Sequence, residues 1–278
     1  YAQHQPGWFA RLLDNKLFLI VVCLAPAIGL LSVFLTYPLG LGVWLGFTDT
    51  KTGRAGEWVG FENYAFLLGD SVTQLALFNT LFYTIIASIV KFALGLWLAL
   101  LLNEKLPFKT FFRAVVLLPW IVPTALSAIA FWWIYDAQFS VISWTLVKLG
   151  LIDSYIDFLG DPWMARISTI IANIWRGIPF VAISLLAGLQ TISPSLYEAA
   201  AIDGATPWQR FRNITLPLLT PIIAVVMTFS VLFTFTDFQL IYVLTRGGPL
   251  NATHLMATLS FQRAISGGAL GEGAAIAT

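Results

Sequence analysis

Charged side chains are scarce in this sequence. Asp, Glu, Lys and Arg together make up 10% of the 278 residues, whereas soluble domains carry about 25%. Hydrophobic residues make up 58%, and a chain this apolar needs a lipid environment for its surface. The composition therefore excludes an ordinary soluble protein and predicts an integral membrane protein. The net charge of +1 also argues against a nucleic acid as a partner.

Residues that carry covalent, metal or nucleotide chemistry are also few. The single cysteine, Cys23, cannot form an internal disulfide. The two histidines, His4 and His254, are too few for a metal cluster. The sequence contains no Gly-x-x-x-x-Gly-Lys-[Ser/Thr] motif, which is the phosphate-binding loop of many ATPases. We therefore expect no catalytic residues, no metal and no cofactor in this chain.

Apolar runs long enough to cross a membrane, which takes about 20 residues, occur five times. They cover roughly residues 17–45, 75–102, 114–135, 167–189 and 218–244. A sixth run begins near Gly273, so we expect about six spans with the last one truncated, and we expect both termini to continue beyond this sequence. These runs predict an all-α integral membrane protein with a single transmembrane domain, residues 1–278.

The distribution of Lys and Arg predicts the orientation, because these residues are more frequent in cytoplasmic loops. With the N-terminus inside, the inner segments contain Arg11, Lys16, Lys105, Lys109, Arg113, Arg210 and Arg212. The outer segments contain nearly as many basic residues but are longer in total. The higher inner density predicts a cytoplasmic N-terminus and a cytoplasmic loop at residues 191–217.

Aromatic residues are frequent in the predicted outer loops. They are Trp58, Phe61, Tyr64, Phe139, Trp144, Tyr155, Phe158 and Trp163. Two interpretations are open: an aromatic belt at the membrane interface, or a docking surface for an external protein.

The loop at residues 191–217 carries helix signals typical of soluble proteins. Ser193 followed by Pro194 predicts a helix start, with a capping hydroxyl before a proline at the first helical position. The spacing of Ser195 and Glu198 also fits a capping box, so the exact start is open. Gly204 predicts a left-handed stop for this helix.

A second short helix is predicted directly afterwards. Thr206, Pro207 and Gln209 repeat the same pattern of cap, proline and capping box. Pro217 disfavours helix at the residue before it, so we expect this helix to end near Thr215. Helices this short are unstable alone in water, and they must pack on their own membrane domain or on a partner. They are either a well-capped connector between two spans or a docking element.

A set of residues in this loop has the spacing of a known family motif: Glu198-Ala199-Ala200, Asp203-Gly204-Ala205, Phe211, Ile214 and Leu216-Pro217. It resembles the EAA loop of ABC-importer permeases, the binding-protein-dependent inner-membrane components. Residues 60–64, 244–249 and 271–275 are similar to further segments of the same family. The resemblance covers nearly the whole chain and points to the first of the two permeases in maltose-type and glycerol-phosphate-type importers.

This resemblance implies a type I ABC importer transmembrane domain in a bacterial cytoplasmic membrane. It implies that residues 191–217 form a coupling loop, which sits in a cleft of a cytoplasmic ATPase. The partners it implies are a second permease, an ATPase dimer that binds ATP and magnesium, an external substrate-binding protein, a carbohydrate ligand and membrane lipid. The coupling residues it indicates are Glu198, Ala199, Ala200, Asp203, Gly204, Ala205, Trp208 and Phe211.

Three ionisable residues lie inside the predicted spans: Lys91, Arg176 and Asp237. Such residues are costly and usually face the bundle interior or water. The helical rise places Arg176 about 14 Å and Asp237 about 10 Å below the outer ends of their spans. They form either an internal ion pair or part of one cavity. Lys91 lies about 24 Å in from residue 75, nearer the cytoplasmic side, where we expect it to snorkel or pair separately.

The fourth and fifth spans carry the candidate substrate pathway. Gly177 and Pro179 are expected to break the fourth span beside a cavity or a neighbouring protein. Ser230, Thr234 and Asp237 share one helical face, which fits either helix–helix contacts or a pathway. The resemblance to maltose-type permeases implies sugar contacts at Asn173, Arg176, Gly177, Phe180, Ser230, Thr234 and Asp237. Several residue types differ there, so we expect a ligand other than maltose.

The leading hypothesis is a non-catalytic permease subunit that forms half of a sugar pore and works by alternating access. The alternatives are a permease for a charged sugar derivative, such as glycerol phosphate or a uronate, and a secondary transporter. A secondary transporter would leave the coupling-like loop unexplained. An intramembrane enzyme would need paired catalytic groups within the spans, and Arg176 with Asp237 is the candidate pair.

Overall fold

The computed structural model describes residues 15–104 and 107–278. These residues are mainly helical and contain two isolated β-bridges in place of strands, so the predicted all-α fold is confirmed. They separate into two compact units, one up to Phe66 and from Gln262 onwards, the other Leu67–Phe261. The expected single domain over residues 1–278 and its coupling loop at 191–217 stay predictions.

The helices are named in chain order. They are α1 (Lys16–Leu31), α2 (Tyr37–Gly46), α3 (Glu62–Gly69), α4 (Ser71–Asn103), α5 (Lys109–Ile121), α6 (Thr124–Ile134), α7 (Val141–Lys148), α8 (Pro162–Leu189), α9 (Pro194–Ile202), α10 (Pro207–Arg210), α11 (Leu216–Phe235), α12 (Gln239–Leu244), α13 (Met256–Phe261) and α14 (Leu270–Ala277). Short π-helical segments continue α1, α10 and α13.

Each of the five predicted spans overlaps a helix or helix pair that is long and apolar enough to cross a membrane. Four are continuous stretches: Lys16–Gly46, Ser71–Asn103, Pro162–Leu189 and Pro207–Leu244. The fifth is the pair α5 and α6, which bends by 90°. α14 coincides with the start of the sixth run. Arg11 and Lys105, on which the orientation partly rests, lie outside the described residues, so the cytoplasmic N-terminus stays a prediction.

The predicted break in the fourth span is wrong. α8 runs without interruption through Gly177 and Pro179. Pro179 is fully buried, and packed neighbours hold a helix through a proline that removes one backbone hydrogen bond. The bend lies in the third span instead, where Val122 is extended with ψ 128°, because Pro123 disfavours the α conformation at the residue before it.

α8 is the central helix of the Leu67–Phe261 unit, where it packs along α4, α5 and α11. Glycines bring these helices close together, since a Cβ at Gly95 would lie 2.7 Å from Val181 Cγ1, and one at Gly188 would lie 2.7 Å from Ile222 Cδ1. Such approaches are typical of helices that pack in membranes. The shared core contains Ala99, Leu102, Val181, Leu185, Leu186, Leu189, Leu219 and Val226. This packing fixes the helices that carry the candidate site.

The other unit brings the first and last spans together. The side chains of α1 are exposed, as contacts with lipid require, and α14 packs on α2. The Asn63 amide donates hydrogen bonds to the carbonyl oxygens of Gly46 (2.9 Å) and Thr48 (2.8 Å). The segment at residues 60–64 is therefore tied to the end of α2.

Candidate substrate cavity and coupling loop

The two short helices of the coupling loop begin at the prolines that their sequence signals predict. Pro194 and Pro207 open α9 and α10. The predicted capping box is present at the start of α10. Gln209 N donates to Thr206 Oγ1 (3.3 Å), and Thr206 N donates to Gln209 Oε1 (2.7 Å). Ser193 makes no capping bond and its hydroxyl pairs with that of Ser195 instead, at 2.7 Å. The box at the second helix is thus confirmed, whereas the Ser193 hydroxyl cap is wrong.

Gly204 sets the turn between the two helices. Its φ is +76°, in the left-handed region that costs other residues free energy. Gly204 N donates to Ala201 O (3.1 Å), and Ala205 N donates to Ala200 O (2.9 Å). The predicted glycine stop is confirmed. The accepting carbonyl groups of Ala200 and Ala201 are among those that the end of a helix leaves without a partner within the helix.

The second helix does not end near Thr215, and this prediction is wrong. A π-helical segment, Phe211–Thr215, follows α10 and leads directly into α11. Pro217 lies in the first turn of α11. The wider π turn before a proline accommodates its ring and its missing N–H within a continuous helix. The loop is therefore joined rigidly to the fifth span.

The loop also packs on its own domain. The hydroxyls of Tyr197 and Thr215 are 2.9 Å apart, and Trp208 stacks on Phe211 at 5.5 Å between ring centroids. An open groove separates these rings from Trp97 and Leu100 of α4. The predicted coupling residues remain largely at the surface: Glu198, Ala199, Asp203, Gly204 and Trp208 are exposed, and Ala200, Ala205 and Phe211 are half-buried.

The predicted substrate residues converge from two helices on one cavity in the Leu67–Phe261 unit. Its volume is about 30 Å³, which is space for two or three water-sized groups at roughly 10–15 Å³ each. Six of the seven predicted residues line it together with Lys91, Trp120 and Phe233; the six are Asn173, Arg176, Gly177, Phe180, Ser230 and Thr234.

Asp237, the seventh predicted residue, lies behind this cavity, at the break between α11 and α12. Its carboxylate accepts hydrogen bonds from Tyr83 Oη (2.8 Å), Asn173 Nδ2 (2.9 Å) and Leu240 N (3.3 Å). The hypothesised ion pair with Arg176 does not form, because the guanidinium lies 5.7 Å from the centroid of the Trp120 ring instead. Equal depth in two helices does not place two side chains on facing sides.

Lys91 belongs to the same network, so the expectation that it snorkels or pairs separately is wrong. Its ammonium donates to Asn173 Oδ1 (3.0 Å) and to Thr234 Oγ1, and the side chain is 3% exposed. α4 has 33 residues, which is about 50 Å and longer than the roughly 30 Å hydrocarbon core. Distance from one end of such a helix therefore does not give depth.

Gly177 is the residue that admits Lys91. A Cβ at this position would lie 2.4 Å from Lys91 Cδ, so a larger residue on α8 would displace the lysine stem. Asn173, one turn earlier on the same helix, then joins Lys91 to Asp237 through its two amide atoms. Four side chains from α4, α8, α11 and the α11–α12 break thus form one buried polar chain: Thr234, Lys91, Asn173 and Asp237.

Residues 91–278 match the family of binding-protein-dependent transport system inner membrane components. The chain belongs to this family. The permease is 37% identical to the trehalose/maltose transport system permease protein MalF of Thermococcus litoralis, over 85% of this chain and 80% of that protein. It is 35% identical to the sulfoquinovosyl glycerol transport system permease protein SmoG of Agrobacterium fabrum, over 98% of this chain and 88% of that protein.

The fold matches a solved structure of the same kind. A chain of a bacterial ABC transporter involved in the import of the acidic polysaccharide alginate superimposes with a TM-score of 0.83 and 25% identity, over 98% of this permease and 92% of that chain. These comparisons establish the protein as a membrane-embedded permease subunit of an ABC importer, with the type I importer fold.

The aromatic wall of the cavity was only partly anticipated in this permease. Phe180 was a predicted contact, and its ring stacks on Trp120 at 5.2 Å and meets Phe233 edge-on at 6.1 Å between centroids. Trp120 and Phe233 complete the wall, and Phe233 immediately precedes the predicted contact Thr234. Tyr83 was missed, because a tyrosine in a span is not distinguishable from core by sequence.

Proposed function

We propose that this permease forms half of the translocation pore for a sugar or sugar derivative, with a second permease as the other half. The observation that carries the proposal is the cavity, where Asn173, Ser230 and Thr234 present polar groups beside the rings of Trp120 and Phe180. Hydroxyl, amide and aromatic groups around one space suit a polyol. The named relatives, which transport trehalose and maltose or sulfoquinovosyl glycerol, support the same class of ligand.

The coupling loop supports an ATP-driven mechanism in which a partner binds ATP and magnesium. Glu198, Asp203 and Trp208 are exposed on a pair of helices joined by the Gly204 turn, and the π segment joins this pair to α11 without a loop. A movement imposed on α9 and α10 is therefore transmitted to the helix that carries Ser230 and Thr234. We propose that a cytoplasmic ATPase dimer holds this loop, and that the N-terminus lies on the same side of the membrane.

An external substrate-binding protein completes the proposed assembly. A chain of a bacterial alginate ABC transporter, solved in complex with an alginate pentasaccharide-bound periplasmic protein, also resembles this permease. By the same arrangement, the ligand would reach the cavity from the outer side after delivery by such a protein. The chain itself supplies positioning and movement, while hydrolysis takes place in the ATPase.

The test is ATP hydrolysis by the complete importer, reconstituted in liposomes with its partner permease, ATPase dimer and binding protein. We expect one sugar class to stimulate hydrolysis selectively and to be taken up. Uptake that persists without any ATPase bound to the chain would contradict the proposal in favour of a secondary transporter. Stimulation by amino acids or phosphate alone would contradict the carbohydrate assignment while leaving the coupling intact.

A further inference from the structure

The charges that line the cavity are of one sign. The described residues around it include two basic side chains, Lys91 and Arg176, and no acidic one. Buried cations without a counter-charge are unfavourable. A cavity with this lining favours a ligand that brings a negative charge with it.

Asp237 is the nearby carboxylate, and it is already engaged. It lies behind Asn173, outside the cavity wall, and its oxygens accept hydrogen bonds from Tyr83, Asn173 and Leu240. With Lys91 and Arg176 each at +1 and Asp237 at −1, the three groups retain one formal positive charge. Asp237 therefore offsets one of the two cations and leaves the other for the ligand.

Arg176 is the cation with free hydrogen-bonding capacity. Its Nε is buried and has no hydrogen-bond partner among the described residues. The guanidinium lies against the Trp120 ring. This contact orients the guanidinium plane but supplies no acceptor for the N–H groups of Arg176. An arginine fork matches the two oxygens of a carboxylate, sulfonate or phosphate.

Lys91 adds a second donor to the same space. Its ammonium carries three N–H donors, of which Asn173 and Thr234 accept two. Gly177 keeps the space beside it open, since a Cβ there would lie 3.3 Å from Lys91 Nζ. One donor of Lys91 and the fork of Arg176 thus remain for one ligand group.

We infer that this permease takes an acidic sugar, whose carboxylate, sulfonate or phosphate group lies between Lys91 and Arg176. The inference rests on the proposed sugar-transport function and narrows its substrate class. A cavity of about 30 Å³ admits an acid group but not a sugar ring. The ring would lie in front of it against Trp120 and Phe233, which are 37% and 56% exposed.

The experiment measures equilibrium binding of radiolabelled sugars to the assembled permease–ATPase complex, without the binding protein, which would impose its own selection. The probes are matched in ring and length: glucose, glucuronate, 6-sulfonated glucose and glucosamine, each as the monosaccharide and as short oligomers. We expect at least one acidic probe to bind tenfold or more tightly than its neutral counterpart. We also expect glucosamine to bind most weakly.

Variants at the two cations sharpen the result. Arg176→Gln and Lys91→Gln should each reduce the acid-to-neutral preference by about tenfold, the size of one lost charge-assisted hydrogen bond. Arg176→Lys should retain part of the preference, because it keeps the charge but loses the fork. Arg166→Gln is the matched control on α8: Arg166 bonds Asn79 and does not line the cavity, so the preference should stay unchanged.

The outcomes separate the inference from the proposed function. Equal or tighter binding of neutral sugars by the wild-type complex would overturn the acidic-sugar inference and leave the sugar permease in place. A wild-type complex that binds none of the probes, while its ATPase is assembled and active, would overturn both. The wild-type comparison needs no variant, so a variant that fails to assemble does not affect it.

Discussion

The coupling loop and the cavity belong to the same compact unit but are built in different ways. In the loop, the capping box joins Thr206 to Gln209, three residues apart, and Gly204 turns the chain between neighbouring helices. In the cavity, Lys91 bonds Asn173 and Thr234 across 82 and 143 residues of sequence. The loop follows from local sequence rules, whereas the cavity follows from helix packing. Mutations at the cavity should therefore lower the stability of the whole permease, and mutations in the loop should change only the local structure there.

Asp237→Ala should have the largest effect, because Tyr83 and Asn173 would lose their acceptor in a buried site. Removing one partner of a buried charged network costs about 3–5 kcal/mol. Thermal unfolding of the purified permease complex in nanodiscs should show a clear loss of stability. The exposed Asp153 gives the control, since Asp153→Ala should leave the melting temperature nearly unchanged. An Asp237→Ala complex of normal stability with altered uptake would mean that Asp237 acts on the ligand rather than on the packing.

Gly177→Ala should have the second-largest effect, because the added Cβ would lie 2.4 Å from Lys91 Cδ. Overpacking of this kind costs about 1–3 kcal/mol, and the displaced ammonium would leave Asn173. We expect uptake to fall sharply in a transport assay, with a moderate loss of stability. Gly40→Ala in α2 is the control, since no atom lies within 4 Å of its added Cβ. Wild-type uptake by the Gly177 variant would show that the cavity tolerates displacement of Lys91.

Gly204→Val should change coupling more than folding. A β-branched residue at a φ of +76° costs roughly 1–2 kcal/mol, and no atom within 4 Å adds a steric clash. We expect the complex to insert but to lose ATPase binding or ligand-stimulated hydrolysis. Gly204→Asn keeps the left-handed conformation accessible and should retain most activity. Normal coupled transport by the valine variant would refute the role of the loop as a lever.

Thr206→Ala should have the smallest effect, about 1 kcal/mol for the loss of a helix cap, confined to its own helix. Amide hydrogen exchange at residues 208–210 should accelerate while the melting temperature stays nearly constant. Ser193→Ala is the matched comparison, and it should change little because Ser193 caps nothing. A global loss of stability from Thr206→Ala would mean that the loop is not a locally determined region.

Several sequence-based expectations failed where tertiary packing overrides local signals. Pro217 predicts a helix end, yet the chain passes through a π segment into α11, and Pro179 predicts a break that the buried position of α8 prevents. The 90° bend appears at Val122 and Pro123, in a run predicted as one span. Prolines mark where a backbone hydrogen bond is missing, but the neighbouring helices decide whether the chain bends there.

The sequence by itself determined the spans, the proline starts of the two short helices, the capping box of the second, the glycine turn and six of the cavity residues, because hydrophobic length, helix signals and family spacing are local. Only the tertiary structure decided that Lys91 joins the cavity, that Asp237 stands behind it and that Arg176 lies on Trp120 rather than on Asp237. The reason is geometric: the position of a residue along its helix can be counted from the sequence, whereas the rotation of one helix against another, and the gap that Gly177 leaves between them, arise from the packing of the whole bundle.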